Sequence, residues 1–75
     1  MQLNMDQWNE IADTVNELEQ LQTELLEQMS GNVPKSVYID SFEKIQSGTT
    51  TLKSDLEDRM FQEHPNEADV TIFYG

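Results

Sequence analysis

The sequence lacks cysteine altogether and has little histidine, glycine, proline or positive charge. Without cysteine the chain forms no disulfide and offers no thiolate for catalysis or for binding zinc. Its single histidine, His64, leaves no Ser–His–acid or Cys–His constellation to propose. No basic and apolar leader opens the chain, and no apolar run approaches the ~18 residues of a membrane span. We therefore expect a soluble cytoplasmic protein that has no catalytic activity, cofactor or bound metal.

The chain is also short, with 75 residues and 36% hydrophobic residues. This length fits one domain, and a domain of this size buries only about 60% of the surface that its unfolded chain exposes. Its own hydrophobic core is therefore expected to be marginal. Because disulfides are excluded, oligomerisation or a partner is the remaining common source of additional stability.

Negative charge is the strongest feature that the sequence does have. Fifteen acidic residues against four basic residues give a net charge of −11. Residues 1–33 hold seven of the acids and no base, whereas all four bases lie within residues 34–64. Phosphate backbones and anionic membranes repel such a segment, which argues against direct binding to either. Two interpretations stay open: a solvated acidic surface, or a surface that imitates nucleic acid.

The first half of the chain has the periodicity of an amphipathic helix. Its apolar residues recur at alternating steps of three and four, with one glutamine in the series. Asn4 and Gln7 have the spacing of a capping box, and Gly31 is free to adopt the left-handed conformation that closes helices. The pattern predicts a helix over about residues 4–30. The predicted stripe is Trp8, Ile11, Val15, Leu18, Gln22, Leu25 and Met29.

A second stripe follows Pro34, which suits the first turn of a helix because its missing N–H is not needed there. Its members are Tyr38, Phe42, Ile45, Thr49, Leu52, Leu56 and Met60. Residues 47–51 are poor helix formers, so either the helix continues through them or the chain breaks there and forms three helices. We favour a continuous helix over about residues 34–63, with Gly48 at a close helix contact.

An antiparallel fold-back near Val33 supports the continuous helix. In that arrangement each residue of the first stripe lies opposite a residue of the second, so that Gln22 meets Ile45. Lys53 is then expected to pair with Glu17 across the seam. This one-to-one match is lost if the threonine run forms a loop.

Two helices do not cover both sides of their apolar stripes, so the remaining apolar positions need another surface. These positions are Leu3, Leu21, Leu26, Tyr38 and Phe61. A symmetric dimer that forms a four-helix bundle is the simplest solution, and the helices of another protein would serve equally. The predicted fold is therefore all-α: a coiled-coil-like antiparallel two-helix hairpin over residues 1–65 that dimerises into a four-helix bundle. A short extended tail, residues 66–75, follows it, and His64 is expected to place its side chain near the last carbonyls of the second helix.

The tail begins acidic and ends in an apolar, β-prone run. Two interpretations remain open here. The tail folds back and caps the end of the bundle, or it stays exposed and docks in a groove or at the sheet edge of a partner. In the second interpretation the partner-binding residues are Val70, Ile72, Phe73 and Tyr74.

One local resemblance bears on function. Ser30-Gly31-Asn32-Val33-Pro34, followed by Phe42-Glu43-Lys44, resembles the turn and second helix of the exonuclease VII small subunit. The likeness covers residues 30–44 and departs at Ile45, where that family usually has glycine. It implies an acidic helical hairpin without an active site that binds the long helices of a nuclease subunit.

Together these features predict a non-catalytic interaction module or accessory subunit that binds itself and another protein. The alternative is an inhibitor that mimics nucleic acid and blocks a DNA-binding protein or nuclease, which needs carboxylates spaced along one rigid face. Acids of the first helix that recur at three, four and seven residues share such a side. This acidic face consists of Asp6, Asp13, Glu17, Glu24 and Glu27.

Overall fold

All regular secondary structure between residues 2 and 74, the part of the chain that the structure describes, is helical. The protein is represented by a computed structural model, and its helices are α1 (Met5–Met29), α2 (Lys35–Glu63) and α3 (Thr71–Tyr74). The molecule measures 47 × 19 × 17 Å, and its radius of gyration of 15.2 Å exceeds the ~11 Å of a compact chain of this length. The all-α helical hairpin is thus confirmed. Met1 and Gly75, which end the predicted segments 1–65 and 66–75, lie outside the described residues.

The ends of the long helices follow from local hydrogen bonding. The side chain of Asn4 accepts the Gln7 N–H at 2.8 Å, and the side chain of Gln7 accepts the Asn4 N–H at 2.9 Å. This capping box satisfies two N–H groups that have no partner within the helix. Gly31 has φ +80°, so the chain leaves α1 through a left-handed residue, and α2 begins directly after Pro34.

The threonine run does not interrupt α2. Thr49 and Thr50 donate their hydroxyl hydrogens to the carbonyls one turn earlier, at 2.8 and 3.0 Å. These bonds satisfy the polar side chains within the helix itself. The prediction of a continuous helix is confirmed, but the expected role of Gly48 is wrong. A Cβ atom built at this position meets nothing within 4 Å, so no neighbouring element approaches it.

The main hydrophobic cluster lies at the open end of the hairpin, opposite the loop, and Phe42 of α2 is buried apart from it. Phe73 of α3 and Met60 of α2 are fully buried in the cluster. They pack with three residues of α1, and the complete cluster is Trp8, Ala12, Val15, Met60 and Phe73. Since the cluster draws on all three helices, α3 forms part of the core.

The prediction of an extended C-terminal tail is wrong. The chain turns after His64, whose carbonyl accepts the Ala68 N–H at 2.9 Å. Asp69 then accepts the Thr71 N–H through its carboxylate at 2.9 Å, and the single helical turn α3 follows. A lone strand would leave its backbone groups without a ladder partner, whereas this turn satisfies them locally and buries Phe73. The tail therefore adopts the capping arrangement.

The predicted seam of α1 is rotated relative to the observed one. Leu18 and Leu25, assigned to the seam, are 41% and 44% exposed. The inward stripe instead runs through Trp8, Ala12, Val15, Glu19, Gln22 and Leu26, also at steps of four and three. The physical reason is α3: because α1 packs against two neighbours, it turns the side that carries Trp8 and Ala12 towards both of them.

The contacts between α1 and α2 are displaced accordingly. Gln22 donates to the Thr49 hydroxyl at 2.6 Å, one turn further along α2 than the predicted Ile45. Lys53 pairs with Glu19 at 2.8 Å and not with Glu17. Because Gln22 belongs to both stripes, its different partner reflects a shift of about one turn in the register of α2 against α1. Rotation of α1 brings Glu19 and not Glu17 to face α2.

Replacing Phe73 with Ala should destabilise the fold by about 3 kcal/mol, because it empties a fully buried aromatic site. Replacing Tyr74, which is 51% exposed, removes its contact with the Lys53 ammonium and should cost less, about 1 kcal/mol. Urea denaturation followed by far-UV circular dichroism measures both values. Equal losses in the two variants would show that α3 does not dock through Phe73.

Candidate protein-binding surface

A single carboxylate fastens the open end of the hairpin. The Glu63 side chain, only 4% exposed, accepts the Leu3 N–H at 2.9 Å and the Trp8 indole N–H at 3.1 Å through one oxygen. Its other oxygen accepts from the Arg59 guanidinium at 2.7 Å. The Leu3 N–H above all, and then Arg59 and Trp8, hold the pKa of Glu63 below its ordinary value. The carboxylate thereby joins the start of the chain to the end of α2.

His64 reinforces this connection in a way that the sequence did not indicate. Its Nε2 atom lies 2.6 Å from the Leu3 carbonyl oxygen, so the ring binds the N-terminal segment. The expected contact with the last carbonyls of α2 is wrong, because only the backbone N–H of His64 bonds there, to the carbonyl of Met60. Both polar groups of the Leu3 peptide backbone are thus bonded to consecutive residues at the end of α2.

A buried lysine connects the three helices further along the hairpin. Lys53 of α2 is 8% exposed and pairs with Glu19 of α1. Its ammonium also lies 4.4 Å from the centre of the Tyr74 ring of α3. A charge this buried is stabilised only when it is paired, and here a carboxylate and an aromatic face supply the partners.

These contacts leave one side of α1 without a neighbouring helix. The residues on that side recur at steps of three and four, which is the spacing of a second coiled-coil seam on the same helix. Leu18, Leu21 and Leu25 are 41%, 60% and 44% exposed, so large apolar side chains face solvent along several turns. Ile11, at one end of this side, is half-buried against the core. We call this set the outer stripe: Ile11, Thr14, Leu18, Leu21 and Leu25.

The outer stripe borders an open groove of about 540 Å³. Leu3 and Leu52 of α2 line the groove, and Ile11, Val15 and Leu18 contribute apolar surface from α1. Leu52 is itself 47% exposed, so the apolar surface spans both helices. Continuous exposed apolar surface of this kind is typical of a binding site.

Carboxylates line the opposite edge of the outer stripe. Glu10, Glu17 and Glu24 each precede an apolar stripe residue by one position and recur every seven residues. We call these three residues the acid row. All three are exposed, and Glu10 also lines the groove. In a coiled coil this is a flanking position, where charge selects the partner helix.

The acidic face predicted from the sequence lies on the same helix. Asp6, Asp13, Glu17, Glu24 and Glu27 are all exposed. Within residues 2–74 none of them lies within ion-pair distance of a basic group. No basic group in the described part of the chain therefore balances the negative charge on this side of α1.

The four predicted partner-binding residues of the tail do not share one surface. Phe73 lies in the core and Ile72 is half-buried against it, whereas Val70 and Tyr74 are 57% and 51% exposed. Sequence reasoning missed Glu10 and the outward position of Leu18 and Leu25, whereas it did assign Leu21 to a surface outside the hairpin. The available signal was the seven-residue repeat shared by the acid row and the residues that follow it.

Comparisons with known proteins add no relative. No protein-family model, curated protein or solved structure matches the chain. Among the described residues no helix is both long and apolar enough to cross a membrane, and no three potential ligands cluster as a metal site. Functional inference therefore depends on the geometry of the surface described above.

Glu63 should make the stability of the protein pH-dependent on the acid side. The pKa of Glu63 is lower in the folded chain than the ~4.3 of a glutamate in an unfolded chain. The stabilisation from Glu63 is therefore complete when the pH is above the unfolded pKa, and it is lost as the pH falls through the folded pKa. The E63Q variant should melt well below the parent at pH 6, and the gap should narrow towards pH 3. Thermal melts at each pH measure the gap.

The matched control is E43Q, which removes an exposed carboxylate of α2 and should leave a small gap at every pH. A gap between the parent and E63Q that stays constant from pH 6 to pH 3 would contradict the role given to the Glu63 carboxylate.

Proposed function

We propose that this chain is a non-catalytic, cytoplasmic interaction module, or an accessory subunit, that binds other helices through the outer stripe and the groove beside it. The observation that carries the proposal is the second coiled-coil seam on α1, whose leucines stay 41–60% exposed after the chain has formed its own core. A seam with this periodicity matches the surface of another helix.

A second copy of the chain is the first partner to consider. Two hairpins that meet through their outer stripes form a four-helix bundle and remove the exposed leucines from water at roughly 25 cal/mol per Å². The two chains also bring together charges of −11 each. Self-association should therefore combine favourable apolar burial with unfavourable electrostatic repulsion, and salt should tighten it.

A second candidate function is inhibition by imitation of nucleic acid. It is favoured by the five exposed carboxylates of the acidic face, which have no cationic partner within the described residues. A basic DNA-binding protein as partner would distinguish this function from helix docking, since that binding needs the carboxylates and not the leucines. The role of a nuclease small subunit is a special case of the accessory subunit.

Sedimentation equilibrium at micromolar concentration and moderate salt should give about twice the 8.7 kDa of one chain. The association should tighten, and the melting temperature should rise, between low and near-molar NaCl.

The variant L21Q/L25Q should keep its helicity and become monomeric, because both side chains are exposed in the single chain. V37Q removes a 69% exposed apolar residue outside the outer stripe and should remain dimeric. A parent mass of 8.7 kDa, or a dimer that persists in L21Q/L25Q, would contradict dimerisation through this surface.

A further inference from the structure

The outer stripe and the acid row run side by side along α1. Together they indicate the charge of a partner helix as well as its apolar face. Ile11, Leu18 and Leu25 repeat every seven residues, and Glu10, Glu17 and Glu24 repeat in the same phase one position earlier. A helix that packs on the stripe must lay one of its flanks beside the acid row, because the other flank lies over α2 at Leu52.

A second copy of the chain does not complement that flank. Its α1 carries seven acids and no base, so it brings carboxylates to the acid row. Of the four bases in α2, Lys53 is bonded to Glu19 and Arg59 to Glu63. The other two, Lys35 and Lys44, lie in the half of α2 next to the loop and are too few to balance the seven acids of a second α1. The unpaired negative charge of the acid row therefore favours a partner helix that carries basic residues.

We propose that the preferred occupant of the groove is a basic amphipathic helix of another protein, with leucine-like residues on one face and lysine or arginine along the flank that meets the acid row. This inference rests on the proposed function, since it takes the outer stripe to be the binding surface. The span from Ile11 to Leu25 is 15 residues, or about 21 Å at 1.5 Å per residue, so a helix of about four turns covers it.

Such a partner displaces a second copy because it reverses the electrostatic contribution. A homodimer brings together two chains with a net charge of −11 each, whereas a basic helix makes the net charge of the complex less negative. The apolar contacts are similar in the two cases, so the charged flank decides between them. Salt provides the diagnostic: it strengthens the homodimer and weakens the complex with a basic helix.

The test uses the full chain and three synthetic helical peptides of three heptads, identical in their leucine positions. Their flanking positions carry lysine, glutamine or glutamate. Binding of each labelled peptide is followed by fluorescence anisotropy at 50 and 300 mM NaCl. The lysine peptide should bind about tenfold tighter than the glutamine peptide at low salt, corresponding to several flank pairs of modest strength. The advantage should shrink at high salt, and the glutamate peptide should bind most weakly.

Two matched pairs of variants locate the binding site. The triple variant E10Q/E17Q/E24Q should abolish the preference for lysine over glutamine, whereas D40N/E43Q/D55N changes the net charge equally and should preserve it. All six carboxylates are exposed, so the fold does not depend on them. L18Q/L25Q should no longer bind the lysine peptide or the glutamine peptide, whereas V37Q should bind both as the parent does.

The outcomes separate this inference from the proposed function. Two results would contradict the proposal of a basic partner helix and leave the proposed interaction module intact. In the first, the parent dimerises through the outer stripe and yet binds the lysine peptide no better than the glutamine peptide. In the second, both triple variants lose the preference equally. If L18Q/L25Q changes neither self-association nor the binding of any peptide, the outer stripe is not the binding surface and both proposals fail.

Discussion

The arrangement of this small protein depends on one carboxylate that is almost removed from water. Glu63 accepts hydrogen bonds from the Leu3 backbone and the Trp8 indole of the first segment and from Arg59 of its own helix. A buried carboxylate is tolerated only when its oxygens are satisfied, so these donors must come together for the hairpin to close. The closure places Trp8 beside Met60 and leaves a site that Phe73 fills.

The exposed surface follows from that closure. Since α3 occupies the side of the hairpin next to Trp8 and Ala12, α1 turns these residues inward and carries Leu18 and Leu25 outward. A chain without disulfides thus uses Phe73 to complete its core, and a second apolar seam of α1 stays exposed. The core and the proposed binding surface thus lie on different faces of α1, and the tail contributes to the core.

The features predictable from the sequence were those set by local chemistry. The capping box of Asn4 and Gln7, the left-handed Gly31 and the two long helices depend on neighbouring residues, and periodicity indicates them directly. The rotation of α1 was not predictable in this way, because both of its stripes have steps of three and four, and only the docking of Phe73 selects the inner one. The acid row could have been recognised from its repeat, but its exposure depends on the same rotation.

The central claim is that the outer stripe is open to solvent in the single chain and becomes covered by another helix. Because the chain has no cysteine, single cysteine variants report this directly through their rate of reaction with a thiol reagent. Leu21→Cys, at a position 60% exposed, should react rapidly in dilute protein and slowly at high protein concentration or with the lysine peptide, while Ala12→Cys, at a position 1% exposed, should stay protected throughout. A Leu21→Cys variant that reacts at the same rapid rate under all three conditions would contradict the account.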